Sequence, residues 1–163
     1  MSEQCTHFID AIRYIAGEIE EVSAMAATGF IDDVKDFNVS DAMSMNIRLK
    51  SGAIGSVQTS CFSRDHGGGK LGLFVDIASR EKSYRFTDHK MDLQVQHSAK
   101  ESENFISHEN AVLLENQAFI RALRSGDTSG ILSPYNDALE TFKVGLAADL
   151  SISEKRSVKI SEL

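Results

Sequence analysis

The chain has 163 residues, enough for one globular domain with a hydrophobic core. Its hydrophobic content of 42% and charged content of 25% are ordinary for a soluble domain. The formal net charge of −7, without any run of Lys and Arg, argues against a nucleic-acid partner. The sequence shows neither a signal peptide nor a long apolar run, which argues against secretion or a membrane partner. Two isolated cysteines fit a reducing cytosol, so we expect one cytoplasmic domain over residues 1–163.

The first predicted element is an amphipathic helix in EQCTHFIDAIRYIAGE, residues 3–18. One side of this helix carries the apolar residues Cys5, Phe8, Ile9, Ile12 and Ile15. The opposite side carries Glu3, His7, Asp10 and Tyr14, which fall within about one sixth of a turn of each other. Gly17 can adopt the left-handed conformation that ends a helix.

Alternating patterns predict five or six short strands in the middle of the chain. Residues 18–28 alternate in part, and residues 41–62 alternate on both sides of a Ser-Gly turn, which is typical of a β-hairpin. The segments LGLFVDIAS, KSYRFTD and KMDLQVQHS predict further strands separated by turns. Together they predict an antiparallel meander.

The helical period returns at His108. NAVLLENQAFIRALRSGD predicts a helix closed by Gly126, and SPYNDALETFKVGLAADLS predicts another, with Ser133 as N-cap and Pro134 at its first position. The predicted buried stripe of this last helix is Leu139, Phe142, Leu146 and Leu150. SVKI predicts a closing strand.

This order of elements predicts an α+β fold with one open antiparallel sheet and helices packed on one face. The other face of the sheet is small and polar in its hairpin, at Ala42, Ser44, Asn46, Ser56, Gln58 and Ser60. Such a face can pack against another domain or subunit.

The candidate chemistry of the first helix lies in Glu3, His7 and Asp10. At a spacing of four residues the Glu3 carboxylate can hold one ring nitrogen of His7 and leave the other free to transfer a proton. The same spacing is also typical of a solvated pair on a surface helix. A metal site formed with Asp10 lacks a downstream His or Cys cluster to complete it, and we expect none.

The loop SRDHGGGK, residues 63–70, lacks the GxxxxGK[ST] pattern of a phosphate-binding loop. We interpret it as a flexible loop from which Arg64 and His66 could reach an anionic or hydroxylated ligand. Cys5 and Cys61 are predicted to be small core residues.

The first helix resembles the start of the C-terminal domain in the glucose–fructose oxidoreductase, inositol dehydrogenase and MocA family of nicotinamide-dependent oxidoreductases. The family pattern is an acid, three residues, a His and then xxDxxRYxxG. It matches Glu3, His7, Asp10, Arg13, Tyr14 and Gly17, with Glu3 where the family commonly has Asp. The hairpin MNIRLKSGAIGSVQTS and the closing stretch from LLENQAFIRALRSGD to SVKI are similar to the family as well. The resemblance therefore covers nearly the whole chain.

The resemblance implies a fold like the C-terminal domain of glyceraldehyde-phosphate dehydrogenase. It also implies hydride transfer between NAD or NADP and a hydroxyl-bearing carbon of a sugar, cyclitol or related polyol. In this interpretation His7 is the acid/base and Glu3 orients it. Asp10 is a substrate contact or a supporting group, and Arg64 and His66 line the substrate end of the cleft.

Family members also carry an N-terminal Rossmann domain with a GxGxxG-type turn and a Glu-Lys-Pro motif with a catalytic Lys, neither of which occurs in this sequence. We therefore expect a fragment or truncated product that is inactive alone and binds no dinucleotide. Its expected partners are the Rossmann domain of the same protein and further copies of itself, joined through the sheet. Two alternatives stay open: a non-catalytic dimerisation or ligand-binding module, and a small metal-dependent hydrolase.

Overall fold

The computed structural model describes residues 3–29, 32, 35–36, 39–60, 74–87 and 92–163. Contacts between residues divide the chain into two compact units, Met1–Arg64 with Ser133–Leu163, and Asp65–Leu132. The single domain expected over residues 1–163 stays a prediction.

The first unit contains two long helices and a four-stranded antiparallel sheet. Its elements are α1 (Glu3–Ala16), β1 (Ile19–Ala27), β2 (Ala42–Leu49), β3 (Ile54–Ser60), α3 (Tyr135–Glu154) and β8 (Val158–Lys159). The strand order is β3-β2-β1-β8. The predicted hairpin is confirmed, with Met45 opposite Val57 and a left-handed glycine, Gly52, in its turn.

The core of the first unit lies where α1 and α3 meet the sheet. The helix α1 contributes Cys5 and Ile9, the strands contribute alternate residues such as Val22 and Met45, and α3 contributes Val144. The side of α3 that is buried consists mostly of small residues: Thr141, Val144, Gly145, Ala147, Ala148 and Ser151. Small side chains let a helix approach a sheet closely, because few atoms separate the two backbones.

The predicted stripe on α3 is therefore wrong in part. Leu139, Phe142 and Leu146 are exposed, and only Leu150 packs partly against the core. A helix offers several faces with apolar residues, and packing density here selects the face that fits the sheet rather than the face with the largest side chains.

The second unit is a meander of four antiparallel strands followed by a helix. Its elements are β4 (Phe74–Ala78), β5 (Ser83–Thr87), β6 (Asp92–Ser98), β7 (Glu101–Phe105) and α2 (Ala111–Ser125), with strand order β4-β5-β6-β7. Asn110 caps the start of α2, and Gly126 ends it in the left-handed conformation, as predicted. The strand β7 was not predicted, because its exposed residues carry no apolar alternation.

The α+β class is confirmed. The strands expected in one sheet instead form two four-stranded sheets within the described residues. The helix α3 has Pro134 as its N-cap residue, one position later than predicted, and the Ser133 hydroxyl is directed to Asp10 and Asp137 instead. Among the described residues, none of the helices combines the length and apolar content needed to cross a membrane.

Candidate functional site

The orientation of α1 decides which predicted site residues are accessible. Its apolar side is anchored by Cys5 and Ile9, which are fully buried in the core. The opposite side leaves His7 exposed and Asp10 half-buried, one helical turn apart. The predicted division of α1 into an apolar and a polar face is therefore confirmed for these residues.

The structure describes little of the remaining predicted site residues. Glu3 is the first residue of α1, but its side chain lies outside the described part of the structure. Arg64, His66 and Cys61 also lie outside the described residues. The pairing of Glu3 with His7 and the substrate roles of Arg64 and His66 stay predictions.

A buried arginine, Arg13, joins α1 to the start of α3 and is the most extensively bonded side chain in this region. Only 4% of its side chain is exposed. Its Nε and Nη2 donate to the two carboxylate oxygens of Glu18, at 3.1 and 2.8 Å. Nη2 also donates to Asp137 Oδ1 at 3.0 Å, and Nη1 donates to the Asp137 carbonyl oxygen at 2.9 Å and to Thr141 Oγ1 at 2.6 Å.

The charge of Arg13 is retained despite its burial. Burial by itself lowers the pKa of a guanidinium, but the hydrogen bonds and negative charges of Glu18 and Asp137 outweigh this effect and raise the pKa of Arg13 above its usual value. A buried cation with its donors satisfied in this way holds the surrounding acceptors in one geometry.

Asp10 is held on the border of this cluster. Its Oδ1 accepts a hydrogen bond from Thr141 Oγ1 at 2.9 Å and a longer one from Ser133 Oγ at 3.4 Å. The same oxygen lies 3.8 Å from Arg13 Nη1. The Asp10 side chain is 38% exposed, so the carboxylate is fixed at one oxygen and accessible to solvent.

Sequence reasoning missed the roles of Arg13, Asp137 and Thr141. A signal was present, since Arg13 continues the spacing of Cys5 and Ile9 along the apolar side of α1. A buried arginine requires carboxylate partners, but nothing in the local sequence names them.

Metal-binding groups do not cluster in the part of the chain that the structure describes. No three side chains of His, Cys, Asp or Glu come together there in a way that could hold a metal ion. Because the Glu3 side chain is outside this set, a metal held by Glu3, His7 and Asp10 stays an untested alternative.

Comparison with known proteins shows what the chain is similar to. A family model described as the GFO/IDH/MocA C-terminal domain matches residues 1–79, which include α1 and β1 to β3. Myo-inositol 2-dehydrogenase from Thermotoga maritima is 29% identical over 165 residues, covering 96% of this chain and 48% of that protein. The chain thus spans about half the length of the curated relative it matches.

Solved structures with the same fold cover almost the entire chain. Levoglucosan dehydrogenase in complex with NADH superimposes with a TM-score of 0.79 at 20% identity, covering 98% of this chain and 49% of that one. An NAD binding oxidoreductase from Klebsiella pneumoniae gives a TM-score of 0.77 at 17% identity, covering 95% and 48%. At these low identities the likenesses establish the fold. Over residues 1–79 the chain is similar to the GFO/IDH/MocA C-terminal domain, and over most of its length it is similar to about half of the Thermotoga maritima myo-inositol 2-dehydrogenase.

Proposed function

We propose that the complete protein containing this chain is an NAD- or NADP-dependent oxidoreductase acting on a hydroxyl group of a sugar, cyclitol or related polyol in the cytoplasm. The related proteins support this substrate class, because one is named for the cyclitol myo-inositol and another was solved with NADH and levoglucosan. The match to the family model and the similarity to myo-inositol 2-dehydrogenase support a dehydrogenase reaction.

The observation that carries the proposal is the exposed face of α1, where His7 is accessible and Asp10 is held one turn later. Oxidation of an alcohol removes a proton from the oxygen and a hydride from the carbon. An imidazole accepts a proton readily near neutral pH, which suits His7 to the role of general base. In the reverse reaction His7 returns the proton to the carbonyl oxygen.

The other predicted residues act around His7. Glu3 orients the imidazole from one turn earlier on α1, and Asp10 accepts a hydrogen bond from a substrate hydroxyl. Arg64 and His66 line the substrate end of the cleft. The roles of Glu3, Arg64 and His66 extend the proposal to residues whose side chains lie outside the described structure.

The cofactor belongs to the rest of the complete protein. A nicotinamide cofactor supplies the hydride chemistry in such reactions. The nucleotide-binding fold that holds it is built from parallel strands joined by helices, whereas every strand pair described in this chain is antiparallel. We therefore expect no dinucleotide site in the described residues, and we expect the isolated chain to be inactive. Calorimetric titration of this chain with NADH tests this, and micromolar binding would contradict it.

The test of the catalytic role uses the complete protein and a His7→Asn variant. Asn keeps a polar side chain on the exposed face of α1 but cannot act as a base. We expect kcat/KM for oxidation of a polyol such as myo-inositol to fall by about 10² to 10⁴ fold, with little change in Tm. His108→Asn is the matched control, because His108 is an exposed histidine in the segment before α2. Full activity of the His7 variant would remove the proposed role.

Homo-oligomerisation through the first sheet is part of the same proposal. The face of this sheet that is turned away from α1 and α3 is exposed and carries small polar residues together with Met25: Ser23, Asn46, Ser56 and Gln58. The small side chains on this face permit close packing of a second copy. Sedimentation velocity of the complete protein measures the assembly, and a monomer at micromolar concentration contradicts it.

A further inference from the structure

A threonine of α3, Thr141, lies between the buried Arg13 and the half-exposed Asp10. We propose that Thr141 is a positioning residue for Asp10: its hydroxyl holds one carboxylate oxygen so that the other points to the substrate hydroxyl. This inference rests on the proposed function of the site, and it assigns a role to a residue far from α1 in the sequence.

The direction of the hydrogen bonds follows from the donors. A guanidinium has donors only, so the 2.6 Å contact between Arg13 Nη1 and Thr141 Oγ1 uses an N–H of the arginine. The single hydroxyl hydrogen of Thr141 then remains for Asp10 Oδ1 at 2.9 Å. Thr141 is 1% exposed, so water does not compete for this hydrogen. The hydroxyl is thus bonded to a cation on one side and a carboxylate on the other, which strengthens both bonds.

The two carboxylate oxygens of Asp10 therefore have different surroundings. Within the described residues, Thr141, Ser133 and Arg13 all approach Oδ1, and no polar group contacts Oδ2. Since the side chain is partly exposed, Oδ2 is the oxygen that can accept a hydrogen bond from a ligand. A carboxylate fixed in advance loses less conformational freedom when it binds.

The Thr141 hydroxyl is only one of the groups through which Arg13 joins α1 to α3. Arg13 connects α1 to α3 through the Asp137 carboxylate and the Asp137 carbonyl oxygen as well. If the hydroxyl is removed, Nη1 keeps the carbonyl oxygen at 2.9 Å as its acceptor, so the two helices remain joined. Thr141→Val therefore removes the support of Asp10 selectively.

The experiment compares three variants of the complete protein in polyol oxidation. Thr141→Val keeps the shape of the side chain and removes the hydroxyl, Thr141→Ser restores the hydroxyl, and Ser151→Ala is the matched control. Ser151 is also a buried hydroxyl of α3, but it accepts from Ala24 N and donates to the Arg156 carbonyl oxygen, away from Asp10. It lies ten residues further along the helix, about 15 Å away.

We expect Thr141→Val to raise KM about tenfold and to change kcat less than threefold, because a contact that orients bound substrate is lost. Thr141→Ser is expected to return KM to within twofold of the parent protein. Ser151→Ala should lower Tm without changing KM. The proposal is overturned if Thr141→Val leaves KM unchanged, or if Ser151→Ala raises KM equally.

A crystallographic measurement separates this inference from the proposed function. If the parent protein oxidises no polyol, the proposed function fails, while the position of Asp10 can still be compared in crystals of the parent and of Thr141→Val. We expect the Asp10 carboxylate to leave its place or to occupy two rotamers in the variant. An unchanged single rotamer would show that Thr141 does not position Asp10.

Discussion

The link between α1 and α3 predicts a specific loss of stability in an Asp137→Ala variant. The Asp137 carboxylate accepts hydrogen bonds from the buried guanidinium of Arg13 at 3.0 and 3.4 Å. The substitution removes both bonds but keeps the bond between Arg13 Nη1 and the backbone carbonyl oxygen of residue 137. Both oxygens of Glu18 also remain bound to Arg13, so the buried guanidinium loses some of its hydrogen bonds but keeps a carboxylate partner.

The expected magnitude follows from these contacts. A hydrogen bond to a charged group contributes about 1.5 to 3 kcal/mol, and the 3.4 Å bond is too long to add much. The Asp137 side chain is 40% exposed, so water screens the interaction and replaces part of it. Loss of a negative charge from the first turn of α3 costs about 0.5 kcal/mol, which the better helix propensity of alanine offsets. The net loss is about 2 kcal/mol, or about 4 to 8 °C in Tm for a chain of this length.

Urea unfolding followed by far-ultraviolet circular dichroism measures this loss, since the chain contains no tryptophan for fluorescence. The midpoint concentration should fall while the slope m stays constant. Asn136→Ala is the matched control, because Asn136 lies in the same helical turn, is exposed, and its side chain makes no hydrogen bond to the described residues. We expect it to change stability by less than about 0.5 kcal/mol. If both variants unfold at the same midpoint, the Asp137 carboxylate does not stabilise the link and Glu18 alone satisfies Arg13.

Two further predictions concern single titratable groups. Burial raises the pKa of the Cys5 thiol above its ordinary 9.0, although the N-terminal charge lowers it in part. In a Cys61→Ser variant, iodoacetamide at about pH 8 should therefore alkylate Cys5 only after the protein unfolds. Rapid alkylation of the native protein would contradict this. Hydrogen bonds from Arg85 lower the pKa of Asp76 below 3.8, and burial opposes this with a smaller effect. The ionised Asp76 therefore stabilises the folded protein above pH 3.8, and this stabilisation is lost as the pH falls through the lowered pKa. Carbon NMR should show the Asp76 carboxyl titrating with a midpoint below pH 3.8, and Arg85→Met should return this midpoint to about 3.8. Equal midpoints in the parent protein and the variant would disprove the pairing of Asp76 with Arg85.

The faces of α1 illustrate what local pattern can predict. Helical periodicity alone placed Cys5 and Ile9 in the core and left His7 accessible, and the structure agrees. The pattern succeeds because a helix of this kind has one apolar side, and only one orientation buries it. The end of α2 at Gly126 was predicted for an equally local reason, and this glycine has the left-handed conformation that ends many helices.

The face of α3 and the support of Asp10 illustrate what local pattern could not predict. The periodicity of α3 permitted burial of Phe142, yet the structure buries Gly145 and its small neighbours, because close approach to the sheet decides the packing. Thr141 lies 131 residues from Asp10 in the chain, so no spacing rule joins them.

The sequence by itself determined the order of the three helices and of the strands other than β7, the polar face of α1 and the pattern along α1 that resembles the GFO/IDH/MocA family. Only the tertiary structure decided how the strands divide between two sheets and which groups surround Arg13 and Asp10. The physical reason is that periodicity and capping act over a few residues, whereas the partners of a buried charge depend on how all the packed elements meet.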